Sequence, residues 1–468
     1  MKTTSIILIT LFFPLTLASG ELINVPSDYP TIQAAIDSAQ DYDTVVIAPG
    51  TYTGIGNYNL SFRGKSITVR SADPEDYSVV SNTIIDCQGR GRGFLFFMNE
   101  NKSSKLSGIT ITNGYSTFGG AIYCYNGSSP TIKNCILKAN RAPFGGAIAC
   151  GNTITQPNIS NCIIKENTSI IGGGGLYANA AAPVVKNCII VLNDSPNGGG
   201  LYCHNPCQIE ISNCTIADNY ASSSAGGSYS HNGCNLTISN SIIWYNDAPF
   251  ATQIRAGSSG DNANVYLNHC DIQNGDNDVV AISPATVWWD EDSIYSQPNF
   301  STNNSAEYRL AEDSDCINGG DPDYMPEVNE TDIDGEPRLQ GPQVDIGADE
   351  YLLALTASVQ VNPPKINLKA GNKWLTVFID LPENFSAEEI ETESILLNEQ
   401  VNPSTTTFEE GSSRLLAKFY LDDVLATIDT EAEQAIITIE GNLIDGQVFN
   451  GSDTIELIQD KSKKPKKK

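Results

Sequence analysis

The sequence predicts an all-β chain, a parallel β-helix (a solenoid of stacked coils) followed by a small β-sandwich domain. Three observations carry this. Asn140, Asn167, Asn193, Asn219 and Asn246 close five successive copies of one pattern, spaced 27, 26, 26 and 27 residues apart. Each copy holds short alternating apolar runs with Gly and Asn at its corners and no stretch long enough for a helix, as one β-coil requires. After about Leu352 the pattern changes to longer alternating runs such as "KWLTVFIDL" and "AIITIEG", separated by polar turns, which read as a sandwich.

Taken in order, residues 1–20 join Lys2 to an apolar run and end in Ala18, Ser19 and Gly20, the form of a secretory signal peptide. In "DYPTIQAAIDSAQ", Pro30 stands at a helix start and Ile32, Ala35, Ile36 and Ala39 fall on one helical face, so this helix should cap the first coil. The strand "TVVIAPGTY" follows, and Asn113, 27 residues before Asn140, already keeps the period. Coils lie about 4.8 Å apart, so equivalent residues stack in columns. Ile132, Ile159, Val185, Ile211 and Ile238 form one inward column, and Leu137, Ile164, Ile190, Ile216 and Ile243 another. The closing Asn residues should sit at a turn in left-handed geometry, their amides bonding along the stack. From about Ser293 to Tyr351 an acidic stretch should close the far end as a C-terminal cap, so that residues 21–351 make the solenoid. Residues 352–459 make the sandwich, in which Ser386 and Glu389 fit a capping box, and 460–468 a Lys-rich disordered tail.

Charge and cysteines bound the function. The chain carries 27 basic against 55 acidic residues, a net charge of −28, which makes nucleic acid a poor partner. No stretch beyond the leader is long and apolar enough to span a bilayer, so the expected place is secreted or on the cell surface. Of twelve cysteines, Cys135, Cys162, Cys188 and Cys214 share an inward column continued by Ser241, and Cys124, Cys150 and Cys203 share one with Ala178 and Ser230. Exchange with Ala and Ser indicates small buried groups rather than bridges.

The opening "INVPSDYPTIQAAIDSAQDYDTVVIAPGTYTG" resembles the first coil of pectin-lyase-like right-handed β-helices, and the resemblance implies that handedness. The "GGAI" and "IxxN" units resemble the repeats of polymorphic outer-membrane proteins, although Ile or Leu replaces the Phe usual there and no membrane barrel follows. Ser293 to Tyr351, with "DSDCINGG" and "VDIGADEY", resembles a choice-of-anchor Q domain, found on exported prokaryotic β-helix proteins. These likenesses imply fold and export. They leave activity open, because this fold hosts lyases, hydrolases, esterases and binding rods.

Several constellations could carry chemistry. Tyr123, Tyr177, Tyr202 and Tyr229 share an outward strip with Ala149, which reads either as a solvent-facing platform for sugar rings or as cross-strand packing. "CHNPC" and "SHNGC" place His204 beside His231 and Cys207 beside Cys234, one coil apart, which suits a Cys207–Cys234 disulfide, unpaired side chains, or a Zn²⁺ site shared with the two histidines. Acidic clusters at Asp313, Asp315, Asp321 and Asp323 and at Asp332, Asp334 and Glu336 could hold Ca²⁺ or be solvated loops. Asp422 and Asp423, an adjacent carboxylate pair, read as a solvated helix face, and Lys138, Lys165 and Glu166 are weak candidates for a lyase site. The reading that follows is an exported protein that binds extracellular polysaccharide or cell-surface glycan, or builds the surface. The alternative is a carbohydrate-active enzyme, a polysaccharide lyase before a glycoside hydrolase, acting on an acidic polymer from loops before Thr112 or after Asn246.

Overall fold

The computed structural model describes residues 20–152, 154–301, 308–352, 354–368, 373–382, 385–408, 411–444 and 447–458. The expected signal peptide, save Gly20, and the Lys-rich tail lie outside the described residues. The chain divides into two compact units, 1–351 and 352–468.

The first unit is a solenoid of parallel strands. An eleven-stranded sheet runs from Leu22–Val25 to Thr286–Trp289, a nine-stranded sheet from Gly50–Tyr52 to Asp271–Ile272, and an eight-stranded sheet from Phe94–Phe96 to Val279–Ala281. A fourth sheet joins Arg141–Phe144, Thr168–Gly172, Asp194–Asn197 and Tyr220–Ser224. Both inward columns stand in register and are buried. The helix Ile32–Ser38, capped by the Thr31 hydroxyl, buries Ile32, Ala35 and Ile36 in the same core as the first coil.

The Cys135 column is buried as expected, and the structure adds the reason that Ser replaces Cys in it. Cys162 N–H donates to Cys188 Sγ and Cys188 N–H to Cys214 Sγ, both at 3.4 Å, while Cys214 N–H donates to Ser241 Oγ at 3.1 Å. The column thus needs a small acceptor as well as a small volume.

The closing asparagines form an interior ladder. Asn140 donates from its backbone N–H and from Nδ2 to Asn167 Oδ1, at 2.9 and 3.0 Å. The same pair of bonds links Asn167 to Asn193, Asn193 to Asn219, and Asn219 to Asn246. Their backbone geometry corrects the sequence reading. The left-handed residues are those just before them, Ala139, Glu166, Leu192, Asp218 and Tyr245, and a second left-handed column runs through Asn134, Asn161, Asn187, Asn213 and Asn240. The ladder asparagines are buried because their amides satisfy backbone groups inside the coil, Asn193 Nδ2 reaching the Ile164 carbonyl at 2.9 Å.

The stretch expected to close the solenoid's end instead turns back along its side as a strap. Residues 308–351 lie over the nine-stranded sheet, read by the second Asn column. Asn161 Nδ2 donates to the Thr331 carbonyl at 2.9 Å, Asn187 Nδ2 to Glu330 at 3.1 Å and Asn213 Nδ2 to the Tyr324 hydroxyl at 2.9 Å, while Asn240 Oδ1 accepts from the Asp321 N–H at 2.8 Å. The driving force is apolar: Ile189, Val191 and Ala217 face outward on that sheet and are buried with Ala348, against Ile163, Tyr308 and Ile333.

The second unit pairs two sheets around one core. Ser358–Asn362, Trp374–Asp380, Arg414–Tyr420 and Thr405–Phe408 form an antiparallel sheet, and Gln434–Asn442 with Val448–Ile458 dominates the other. Ser386 and Glu389 make the expected capping box. Asp422 and Asp423 open the helix Leu421–Leu425 and are exposed, a solvated face.

Candidate functional site

The tyrosines do not form the solvent-facing platform that the strip suggested. Tyr177 and Tyr229 are only 4% and 5% exposed. Tyr123 and Tyr202 are half-buried. The fourth sheet folds over them: a Cβ at Gly172 would run into the Tyr202 ring. Where Ala149 interrupts the strip, Phe144 fills the gap, stacked on Phe118 at 5.2 Å and tilted against Tyr177 at 5.0 Å. Arg92 lies over the Tyr123 ring at one end and Arg255 over the Tyr229 ring at the other. The alternation placed these rings outside the coil correctly, and the next layer of chain then buried them.

His204 and His231 belong to this stack, their rings 5.4 Å apart. His231 Nε2 meets Ser258 Oγ at 2.8 Å and His204 Nε2 meets Asn232 Nδ2 at 3.2 Å. Burial holds both imidazoles below their ordinary pKa against the pull of Asp261, with His231 adding to the lowering of His204 and Arg255 to that of His231. Cys207 and Cys234 are joined as a disulfide with Cα atoms 4.6 Å apart, which leaves no thiolate for zinc. Among the described residues, the groups that could hold a metal are His269–Asp290–Asp292 and Asp332–Asp334–Asp349, and neither includes His204 or His231. Peptide mapping without reduction should therefore find Cys207 linked to Cys234 and Cys135, Cys162, Cys188 and Cys214 as thiols that react only after denaturation. Free Cys207 and Cys234 would contradict this arrangement.

The loops before Thr112 and after Asn246 do converge. Pro74 to Val80, carrying the helix Tyr77–Asn82 with its Asp76 cap, faces Thr331 to Gly335 of the strap across a cleft of 310 Å³ floored by Asn134, Ile136, Asn161 and Ile163. Its carboxylates are Glu75, Asp332 and Asp334. Asp332 is committed to structure: Oδ1 accepts from the N–H groups of Asp334 and Glu336 at 2.9 Å, and Oδ2 from the Glu350 N–H at 3.0 Å. Asp334 pairs with Arg309, which also lies 3.5 Å from Asp349. Behind the cleft, burial and then the charges of Asp332, Asp334 and Asp349 push Glu336 up to about 8. Burial pushes Asp349 to about 7 against the pull of Arg309, and Glu350 to about 8 against that of Arg338.

These carboxyls tie stability to pH. Their unfolded values lie near 4, so between about pH 4 and 8 the folded chain binds more protons than the unfolded one, and stability falls as pH rises through that window. Glu330, whose burial is outweighed by hydrogen bonds from Glu327 N–H and Tyr324 that hold it below its ordinary value, acts oppositely at acid pH, and the lowered His204 and His231 oppose the three carboxyls as pH rises toward about 6.5. The melting temperature of the first unit should be higher at pH 5 than at pH 8, and Glu336→Gln should raise it at pH 8 while flattening the profile. A melting temperature that falls on acidification over that range would contradict the assignment.

The cleft opens at Asn161 and Thr331 into a trough of 480 Å³ on the outer face of the eleven-stranded sheet. Thr131, Asn158, Val184 and Glu210 line it, with Lys102, Lys133 and Lys186, and the strap residues 327–331 form one wall. Lys186 is neutralised by Glu327 at 2.8 Å. The four lining residues belong to one outward column in register, Lys105, Thr131, Asn158, Val184, Glu210, Thr237, Tyr266 and Trp288. Sequence reasoning missed this column although its position is legible: each member directly precedes an inward residue, as Asn158 precedes Ile159. Lys138 and Lys165 stand in register on the other sheet and are not among the trough's lining residues.

A family model described as "Right handed beta helix region" matches residues 97–272. The fold is a right-handed parallel β-helix. Among solved structures, pectate lyase Pel9A is similar at 15% identity and a TM-score of 0.39, over 70% of this chain and 96% of that one. No curated protein matches the chain.

Proposed function

We propose that the outer face of the eleven-stranded sheet binds a polysaccharide chain lying along the solenoid, and that the protein does so after export, at the cell surface or beyond it. The observation that carries this reading is the contrast between three long faces. The strap covers the nine-stranded sheet and the fourth sheet covers the aromatic stack, whereas among the described residues of this unit the first sheet keeps an open column, in register, of Lys, Thr, Asn, Val, Glu and aromatic side chains. A preformed row of donors and acceptors repeating about every 4.8 Å suits a linear, hydroxyl-rich polymer, with affinity summed from weak contacts. The charge of −28 disfavours nucleic acid. No helix among the described residues is long and apolar enough to cross a membrane, and the likeness of 293–351 to a choice-of-anchor Q domain supports attachment by other means. Retention of the full chain on immobilised neutral and acidic polysaccharides tests the reading. Passage through all of them unretarded would end it.

A second reading is cleavage of the bound polymer at the adjoining cleft. It is favoured by the convergence of Glu75, Asp332 and Asp334 on one cleft, since glycoside hydrolysis needs two carboxyls at close range. A lyase would in addition draw on Lys102 or Lys133 to neutralise a uronate. New reducing ends or unsaturated products on incubation would establish it. Calcium at Asp332, Asp334 and Asp349 would have to displace Arg309 from two of those carboxylates, so a calcium-dependent rise in melting temperature, lost in Asp349→Asn, is the measurement that would support it.

A further inference from the structure

We infer that Tyr266 and Trp288 form a stacking platform for the sugar rings of a neutral polysaccharide, at the far end of the column that lines the trough; this rests on the reading of that face given above. Trp288 is 58% exposed and Tyr266 38%, and they are paired in register on adjacent strands. Among the described residues neither ring packs against another aromatic ring, unlike Tyr123, Tyr177, Tyr202 and Tyr229, each of which does. The indole is nevertheless fixed, since Trp288 Nε1 donates to Thr286 Oγ1 at 3.1 Å, and Thr286 Oγ1 donates to Asn264 Oδ1 at 2.6 Å. The neighbouring Trp289 points the other way and packs against the core, so the alternation that buries one indole presents the other to solvent.

Size and charge select the occupant. Two aromatic side chains offer at most about 500 Å² in all, well under the roughly 800 Å² per partner of a stable protein interface. Their surroundings are hydrogen-bonding groups, Thr237, Asn235 and Asn264, rather than further apolar side chains. Asp290, Glu291 and Asp292 follow Trp289, and the exposed Glu291 and Asp292 would repel a polyanion or an anionic membrane while accepting hydrogen bonds from sugar hydroxyls. A pyranose polymer has the matching character, C–H faces for the rings and hydroxyl edges for the flanks.

The test is native electrophoresis of the full chain through gels containing hydroxyethylcellulose, glucomannan or polygalacturonate, with indole emission followed on addition of each polymer. The expected result is retardation by a neutral polymer, weakened about tenfold by Trp288→Ala and about as much by Tyr266→Ala, with circular dichroism unchanged. Trp288→Tyr should restore most of the retardation, and the emission change on binding should vanish in Trp288→Phe. Full retardation of the double Ala variant would overturn the platform and leave the trough standing. Retardation by polygalacturonate alone would overturn the neutral class. Absence of any retardation of the unmodified protein would overturn the trough reading and the platform with it.

Discussion

Asn193→Ala is expected to destabilise the solenoid by about 4 kcal/mol, because a buried backbone or amide group left without its partner costs roughly 1–3 kcal/mol. The side chain it removes serves four groups at once. Its Oδ1 accepts from the backbone N–H and from Nδ2 of Asn167, both at 3.0 Å, and its Nδ2 donates to the Ile164 carbonyl at 2.9 Å and to Asn219 Oδ1 at 3.0 Å. None of these can turn to water, since Asn167, Asn193 and Asn219 are all buried. A domain's whole stability is about 5–15 kcal/mol, so this one amide carries a large share of it. Chemical denaturation followed by circular dichroism measures the loss, with the exposed Asn277→Ala as a control expected within about 0.5 kcal/mol of the unmodified protein. A loss under 1 kcal/mol in Asn193→Ala would mean that the ladder is ornamental.

Arg338→Met should have an effect of similar size, read out differently. The guanidinium is fully buried, 3.4 Å from Glu350, and its Nη2 donates to the carbonyls of Asp345 at 2.7 Å and Gly347 at 2.9 Å. Removing it leaves two buried carbonyls inside the strap without their donor, at roughly 1–3 kcal/mol each, and the Glu350 carboxyl without its cation. Lysine should not rescue, because a single ammonium cannot sit beside Glu350 and on both carbonyls at once, as Nε and Nη2 of the planar guanidinium do. As the strap loosens, Ile189 and Val191 lose their cover, so binding of a hydrophobic dye at temperatures below the solenoid's own transition is the expected signature. Unfolding indistinguishable from that of the unmodified protein, with no dye binding, would show that the strap does not depend on this residue.

The coils were legible because stacking imposes one residue class on each column. An inward Ile meets another inward Ile on either side, so Ile132, Ile159, Val185, Ile211 and Ile238 announce themselves by spacing alone. The strap's path was written in a subtler form. "CIIK", "CIIV" and "SIIW" place two apolar residues where alternation requires one, and Ile163, Ile189 and Ile242 are the surplus that the strap covers. The tyrosines misled because pointing out of a coil is not the same as reaching solvent. The warning lay in Phe118 and Phe144 before the Gly pairs, since rings placed there must pack on something. The trough could not be seen as a motif, because its column runs through Lys, Thr, Asn, Val, Glu, Tyr and Trp, whose shared property is position alone. The cleft beside it depends on residues more than 250 positions apart, Glu75 and Asp334, which only the folded strap brings together.

Hydroxyl-radical footprinting of the full chain, with and without a saturating polysaccharide that retards it, locates the bound polymer on the solenoid. Protection is expected at Tyr266 and Trp288 and in the peptides holding Thr131, Asn158, Val184 and Glu210, with no change at Tyr115, Ile170 or Tyr220 on the other faces. Protection confined to the second unit, or to faces other than that of the eleven-stranded sheet, would contradict this placement.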